Sequence, residues 1–426
     1  MVSNKTTTTT IHKSPKILDV LIVGGGLSGL LVGRGLHRWS PALAANHSPP
    51  TWKLLEARPV LGGRLANDQA DKRIDLGGAW IWPTHQPHMK DLIQQLSVND
   101  CQPQGLSSIR PKLRTFPQPD EPSSTRVDGG AVQLIHAIAY DLHEHIQLES
   151  PVKRCTLLPT TACTDGATDR ITTAHCGRHV RVETMDNEII LANRVVFAVP
   201  PKLVSRHIVF DPPLDSAKQA AMAASHTWMA GVTKIALVYP HRFWKPDASN
   251  MGLPSDTKSN PAFQVYDSST LDGSVAALTF FALVHPNNRL ALNDDAILAE
   301  QVASQMASVW RQMGRIPTAA QSHSYTSHHV VRWPSENYIA EDDRPTKIHP
   351  HPYPVRALAE PAWDGLLQFA GSETDLSSPG VMEGAVGAAK RVLQALEKSL
   401  ANTVASRGGI TDTAKDSASP QQCSAT

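Results

Sequence analysis

Residues 18–30 read LDVLIVGGGLSGL, an apolar stretch rich in Val and Ile, three consecutive glycines and a second apolar run. The first part reads as a buried strand over 17–23 and the last as a helix from Leu27 to about Trp39. Gly24 permits a tight turn, Gly26 lets a phosphate approach the main chain with no Cβ in the way, and Gly29 lets the helix lie close on the strand. A helix that opens in this manner points its free N–H groups and positive dipole end at an anion, so Leu27 and Ser28 become candidate contacts to a pyrophosphate. After the Pro/Ala/Asn-rich insertion SPALAANHSPP, the segment WKLLEA reads as a second strand ending at Glu56, whose carboxylate can accept both ribose hydroxyls of an adenosine. The insertion explains why the acid comes later than the usual interval after the glycines. A glycine turn that merely packs is the competing reading, but strand, turn, helix, strand and acid in this order favour a Rossmann-like α/β dinucleotide unit.

Near the other end, residues 366–393 read LLQFAGSETDLSSPGVMEGAVGAAKRVL, again a strand, a Gly-rich turn and a helix. The chain is expected to return here and complete the site that it began at Gly24.

The 426 residues and their 41% apolar content suffice for two domains with substantial cores. Forty basic residues against 39 acidic ones leave no long-range field for nucleic acid or an anionic membrane. Five cysteines show neither metal spacing nor a disulfide framework, so no metal is expected. The first sixteen residues, MVSNKTTTTTIHKSPK, lack the apolar core of a secretory signal, and no apolar run is long enough to span a bilayer. These features suggest an intracellular, cytoplasmic protein, with a short organelle-targeting segment as the alternative reading of the N-terminus. Residues 1–16 and 401–426 are polar, low in complexity and expected to be disordered tails.

Further motifs follow in order: Glu56-Ala57-Arg58, Gly62-Gly63-Arg64, Asp75-Leu76-Gly77-Gly78-Ala79-Trp80, Val127-Asp128-Gly129-Gly130 with LIHAIAYDL, Pro151-Val152, RVVFAVPPKLV, IVFDPPL, GVTKIALVYPHRFW, RWPSENY and FAGSETDLSSPGVMEGAV. Together they resemble the flavin-containing amine oxidases, the monoamine oxidase and polyamine oxidase superfamily, over roughly residues 17 to 395. The resemblance implies an FAD-binding domain of the amine-oxidase/glutathione-reductase type with an interleaved α+β substrate domain built on a mixed sheet. It also implies a small-molecule amine substrate and O2 as acceptor.

Physical roles fit these positions. The guanidinium of Arg64 offers a planar fork of donors to pyrophosphate oxygens, with a surface ion pair as the alternative. Gly63, with Ala57 and Arg58, borders the same cofactor. Gly77 and Gly78 would let the main chain run under a flat isoalloxazine ring, with Ala79 and Trp80 beside it. The resemblance alone marks Val152 as the contact to adenine, Gly371 and Glu373 as the acidic segment near the ribityl and pyrophosphate groups, and Trp333 as an aromatic neighbour of the flavin. Val381 and Met382 precede a helix whose positive end can stabilise charge on a reduced ring. Lys234 interrupts the otherwise apolar VTKIALV, where an ammonium is costly to bury. In the resembling family a lysine at this position contacts flavin N5 through a water and assists reoxidation, which makes Lys234 the candidate catalytic residue; an edge-strand lysine reaching solvent is the alternative.

Departures from the family are equally informative. The places of the cysteine that tethers FAD in mammalian-type monoamine oxidases and of the cage tyrosine that follows it hold Asp342 and Asp343, and no cysteine lies between Cys176 and Cys423, so the FAD is expected to be non-covalent. Val381 stands where one tyrosine of the amine-aligning aromatic cage would be. The stretch before Val127 is short and Pro-rich, implying a reduced substrate cap. Trp82, Tyr338 and Asp343 are weaker candidates for substrate contacts, and an inward-facing aspartate would favour a diamine or polyamine. The expected FAD-binding domain comprises 17–82, 128–225 and 355–400, and the substrate domain 83–127 and 226–354. Two other functions stay open: a desaturase or isomerase of the same superfamily acting on an apolar substrate, and a non-catalytic FAD-binding module.

Overall fold

The computed structural model describes residues 17–39, 49–65, 73–97, 115–117, 123–159, 178–256, 258–340, 348 and 350–408. Residues 1–16, residues 409–426 of the tail expected over 401–426, and Asp343 lie outside the described residues.

The first part of the chain forms β1 (Leu18–Val23), α1 (Leu27–His37), β2 (Trp52–Leu55), α2 (Pro87–Ser97), β3 (Thr115–Pro117), β4 (Thr125–Val127) and α3 (Val132–Ala139). There follow β5 (Ile146–Gln147), β6 (Val152–Leu158), β7 (His179–Thr184), β8 (Ile189–Phe197), α4 (Pro201–His207), β9 (Val209–Asp211) and α5 (Ser216–Ala224). A second unit contains β10 (Thr233–Tyr239), β11 (Met251–Gly252), β12 (Ala262–Asp267), β13 (Ala276–Ala282), α6 (Arg289–Asn293), α7 (Asp295–Gln312), α8 (Ile316–Ala320) and β14 (Ser327–Arg332). The chain then returns through α9 (Arg356–Ala359) and β15 (Leu367–Phe369) to α10 (Met382–Gly408).

The first sheet has eight strands in the order β5-β2-β1-β8-β7-β6-β9, with β15 paired to β8. β1 lies between β2 and β8, parallel to both. β8 pairs with β7 through its first half and with β15 through its last residues, Leu367 meeting Val195 and Phe369 meeting Phe197. The return from the far end of the sequence therefore enters the centre of the sheet. Side chains of β1 alternate between two cores: Val20 and Ile22 pack with α1, α2, α3 and α10, while Leu21 and Val23 pack with β6, β8 and β15 on the other face. Burial on both faces is why this strand is apolar from Val20 to Val23.

The second sheet runs β11-β12-β13-β10-β14. The mixed pairing expected of it belongs instead to the first sheet; every pairing here is antiparallel, β14 returning beside β10 after the excursion through α6, α7 and α8. Ile235 and Leu237 pack against Leu298, Val302, Met306 and Trp310 of α7. The alternate residue Ala236 faces Ile74 and Leu76 of the first unit. By the two-residue period of a strand, Lys234 shares that inner face.

Two boundaries differ from the sequence reading. α2, expected with the substrate domain, packs Met89, Leu92 and Leu96 into the α1–α10 core, because its N-terminus is capped by Glu383: the carboxylate accepts from the His88 and Met89 amides at 2.9 and 2.8 Å. α10 continues past residue 400 to Gly408, since residues 401–407 contain neither glycine nor proline.

Candidate functional site

The carboxyl ends of β1, β8 and β15 point the same way, and the loops leaving them bring together Gly24–Gly26, Ala198–Pro200 and Gly371–Glu373. This is where an open parallel sheet offers a crevice. Gly24 has φ +108°, and a Cβ there would lie 2.7 Å from the Ala198 carbonyl oxygen. α1 starts at Gly26 with no side-chain cap and no acidic residue in its first turn. Ser28 donates its hydroxyl to the Ala370 carbonyl, tying this turn to the returning strand. Gly26 lies side by side with the Gly62–Gly63 turn, bridged to Gly62, and an added Cβ at Gly26 would meet Gly63 Cα at an ordinary contact distance of 3.8 Å.

At the end of β2 the Glu56 carboxylate accepts from the Gly25 amide at 2.6 Å and the Arg58 amide at 2.9 Å. Burial raises its pKa, and those two amides pull it back towards the ionised form. Arg58 also reaches the Gly63 carbonyl at 3.2 Å and Glu336 at 3.2 Å. The Arg64 guanidinium is engaged at the cavity wall: it meets Glu373 at 2.5 and 3.2 Å and Ser372 Oγ at 3.0 Å. The Glu373 side chain is 2% exposed, so this pair shields a buried carboxylate.

From this cradle a cavity of about 900 Å³ extends to the inner face of the second sheet. It is lined by Gly24, Gly26, Leu27, Ser28, Glu56, Ala57, Gly63, Arg64, Gly77, Gly78, Ala79, Trp80, Trp82, Val152, Lys234, Trp333, Tyr338, Val381 and Met382. Four expected residues stand behind the lining. Gly29 packs α1 on β1, a Cβ there falling 1.9 Å from the Gly24 carbonyl oxygen, and Gly371 packs against the Val199 carbonyl. Arg58 and Glu373 hold their neighbours through the bonds above.

Lys234 sits at the far wall. β10 lies between β13 and β14, so the edge-strand reading fails, and the residue is 4% exposed. Its Nζ donates to the Gly77 carbonyl at 2.5 Å and lies 4.3 Å from the Phe281 ring centroid. Burial pushes its pKa down to about 7, with the Asp75 carboxylate opposing that shift and Arg126 adding to it. Trp333 is fixed by its indole N–H, which donates to the Leu76 carbonyl at 3.0 Å. Gly78 is exposed to the cavity between the glycine cradle and Lys234.

Sequence reading missed several lining residues. Phe281 enters because β13 pairs Phe281 directly with Lys234, and Gln264, Trp228 and His351 also border the cavity. No motif distinguishes them, since long-range pairing brings them in.

Residues 107–396 match the family described as flavin containing amine oxidoreductase, and residues 22–96 match the NAD(P)-binding Rossmann-like domain. The chain belongs to the flavin-containing amine oxidoreductases. It is 24% identical to amine oxidase [flavin-containing] B of Cavia porcellus over 477 residues, covering 89% of this chain and 87% of that protein. It is 27% identical to amine oxidase [flavin-containing] A of Bos taurus over 500 residues, covering 90% and 86% respectively. Cyclohexylamine oxidase from Brevibacterium oxydans IH-35A shares the fold with a TM-score of 0.62 at 16% identity, over 90% of this chain and 100% of that one. Wild-type putrescine oxidase bound to putrescine does so with a TM-score of 0.60 at 17% identity, over 91% and 100%.

FAD is the cofactor of this family, and the residues present fit it. The Cβ-free backbones of Gly26 and Gly63 on the cavity wall, the uncapped start of α1 and the oriented Glu56 carboxylate match a pyrophosphate and an adenosine ribose in chemistry and in order. With no cysteine between Trp333 and Met382, a non-covalent cofactor accords with the sequence. No helix among the described residues is long and apolar enough to cross a membrane, and no metal-binding cluster occurs among them.

Proposed function

We propose that the protein oxidises a small-molecule amine at the C–H bond next to nitrogen, with O2 as final acceptor. When bound, FAD supplies the hydride acceptor at N5 and is reoxidised by O2 with release of H2O2; the imine product hydrolyses in water. Gly26, Leu27 and Ser28 would hold the pyrophosphate through main-chain amides, while Gly24, whose amide donates to the Leu55 carbonyl, makes the turn; Glu56 would hold the ribose, and the strand start at Val152 borders the adenine. Arg64, fixed by Glu373, orders the cavity wall. Gly77, Gly78, Ala79, Trp80 and Trp333 would form the bed of the ring system, and Val381 and Met382 would bring the positive end of α10 to it. Lys234 places a proton donor and a positive charge at that bed, where the superoxide-like charge of oxygen reduction is stabilised. Trp82 and Tyr338 border the space left for substrate. The protein thus orients the reactants and excludes water, and needs no nucleophile of its own.

The observation that carries this reading is the buried Lys234 ammonium held on the Gly77 carbonyl inside the same cavity as the glycine cradle. The test is anaerobic titration of the FAD-loaded protein with a panel of monoamines, diamines and polyamines, followed by admission of O2. Bleaching of the flavin and one peroxide per turnover are expected. A flavin that no amine bleaches refutes the proposal, and bleaching without peroxide would favour a desaturase or isomerase.

A further inference from the structure

Three charged side chains from distant parts of the chain are buried behind the cavity: Asp75, Arg126 of β4 and Lys234 of β10 are 3%, 4% and 4% exposed. Tyr266 of β12 organises them. Its hydroxyl donates to the Asp75 main-chain carbonyl at 3.1 Å, and its ring centroid lies 5.6 Å from Arg126 Cζ and 5.5 Å from Lys234 Nζ. Asp75 Oδ1 accepts from the Ala131 amide at 2.7 Å. Lys234 is anchored two residues further along that segment, on the Gly77 carbonyl. Asp75 does not line the cavity; its carboxylate holds the amide of Ala131 at the start of α3, a bond that a neutral amide side chain could also accept.

Two cations and one anion in a low-dielectric setting do not hold their charges equally. Arginine keeps its proton in proteins, so lysine and aspartate are the members whose charge can give way. Burial raises the Asp75 pKa, opposed chiefly by Arg126, and lowers that of Lys234, opposed by Asp75. We propose that Asp75 is a positioning residue that acts through Lys234, its buried carboxylate keeping the ammonium charged against Arg126 where the Gly77 carbonyl holds it.

The role in turnover rests on the function proposed above, but the charge balance can be read without turnover. The experiment follows the 13Cε resonance of Lys234 with pH in 13C-lysine-labelled protein, assigned by its disappearance in Lys234→Met, both before and after FAD loading. Asp75→Asn preserves the acceptor for the Ala131 amide and should lower the Lys234 inflection by about one pH unit or more, while Arg126→Gln should raise it. Stopped-flow reoxidation of the reduced protein should follow the same two shifts, and Asp75→Glu should restore the parental profile. A merely structural role for the cluster would move both variants in the same direction. An inflection that Asp75→Asn leaves in place, or that both variants shift alike, overturns the proposal. If the NMR shifts appear but no amine bleaches the flavin, the charge balance stands and the proposed function falls.

Discussion

Gly26→Ala separates a glycine kept for a ligand from one kept for the fold. Gly26 has φ −77° and ψ −177°, which any L-residue adopts, and its new methyl would find no protein atom nearer than Gly63 Cα at 3.8 Å. The apoprotein loses only the advantage of glycine over alanine at a helix N-cap, about 1 kcal/mol, and its Tm should fall by no more than about 2 °C. The methyl would stand on the cavity wall at Gly26 and Gly63, which the pyrophosphate must approach closely. Lengthening a single amide–anion hydrogen bond costs about 1.5–3 kcal/mol, which weakens FAD binding by roughly 10- to 150-fold. Titrating apoprotein with FAD and following flavin fluorescence, with thermal unfolding in parallel, measures both quantities. A Kd within about threefold of the parent's, under 1 kcal/mol, would refute the assignment of the cradle. Gly29→Ala is the opposite control: its Cβ would fall 1.9 Å from the Gly24 carbonyl oxygen, so folding should fail before binding can be measured.

Lys234→Met should retain FAD while slowing reoxidation by about tenfold or more, and the pH dependence of the remaining rate should lose its inflection near 7. Because the folded lysine releases its proton near pH 7 and the unfolded one near 10.5, the unfolded chain binds the extra proton between those values and stability should rise with pH across that window; denaturant titrations of Lys234→Met should lack the rise. Arg64→Met leaves the buried Glu373 carboxylate unpaired and should destabilise the protein by about 3 kcal/mol in urea unfolding. Adding Glu373→Gln should recover part of that loss, and full additivity of the two changes would refute the coupling. Glu383→Ala removes the acceptor from two amides of α2 and should cost about 2 kcal/mol, with hydrogen exchange increasing first at His88 and Met89.

The motifs that proved legible are those in which main-chain geometry restricts residue choice. The turn at Gly24, the close packing of Gly29 and the acid at Glu56 follow from local conformation, and Lys234 was conspicuous because an ammonium within VTKIALV must be held by something. What stayed hidden depends on partners far away in the sequence. Nothing local to α2 says that its cap is Glu383, or that its apolar face joins α10 and not the second sheet. The engagement of Arg64 by Glu373, the pairing that sets Phe281 beside Lys234, and the place of Tyr266 between two cations likewise exist only once the strands are in register. The antiparallel order of the second sheet was hidden for the same reason, since strand direction is a property of connections and not of composition.

The entry of β15 beside β8 has a bearing on biosynthesis. While a ribosome is still translating the region around Leu367, the turn at Gly24 has been out of the exit tunnel for a long time, yet Ser28 has no Ala370 carbonyl to bond and α1 has no α10 to cover it. A nascent chain therefore presents half a coenzyme cradle with an exposed apolar flank, and loading must wait for residues 367–396 to emerge. Products cut short before that point should be unable to retain the coenzyme, which leaves quality control an unfilled, sticky crevice to recognise.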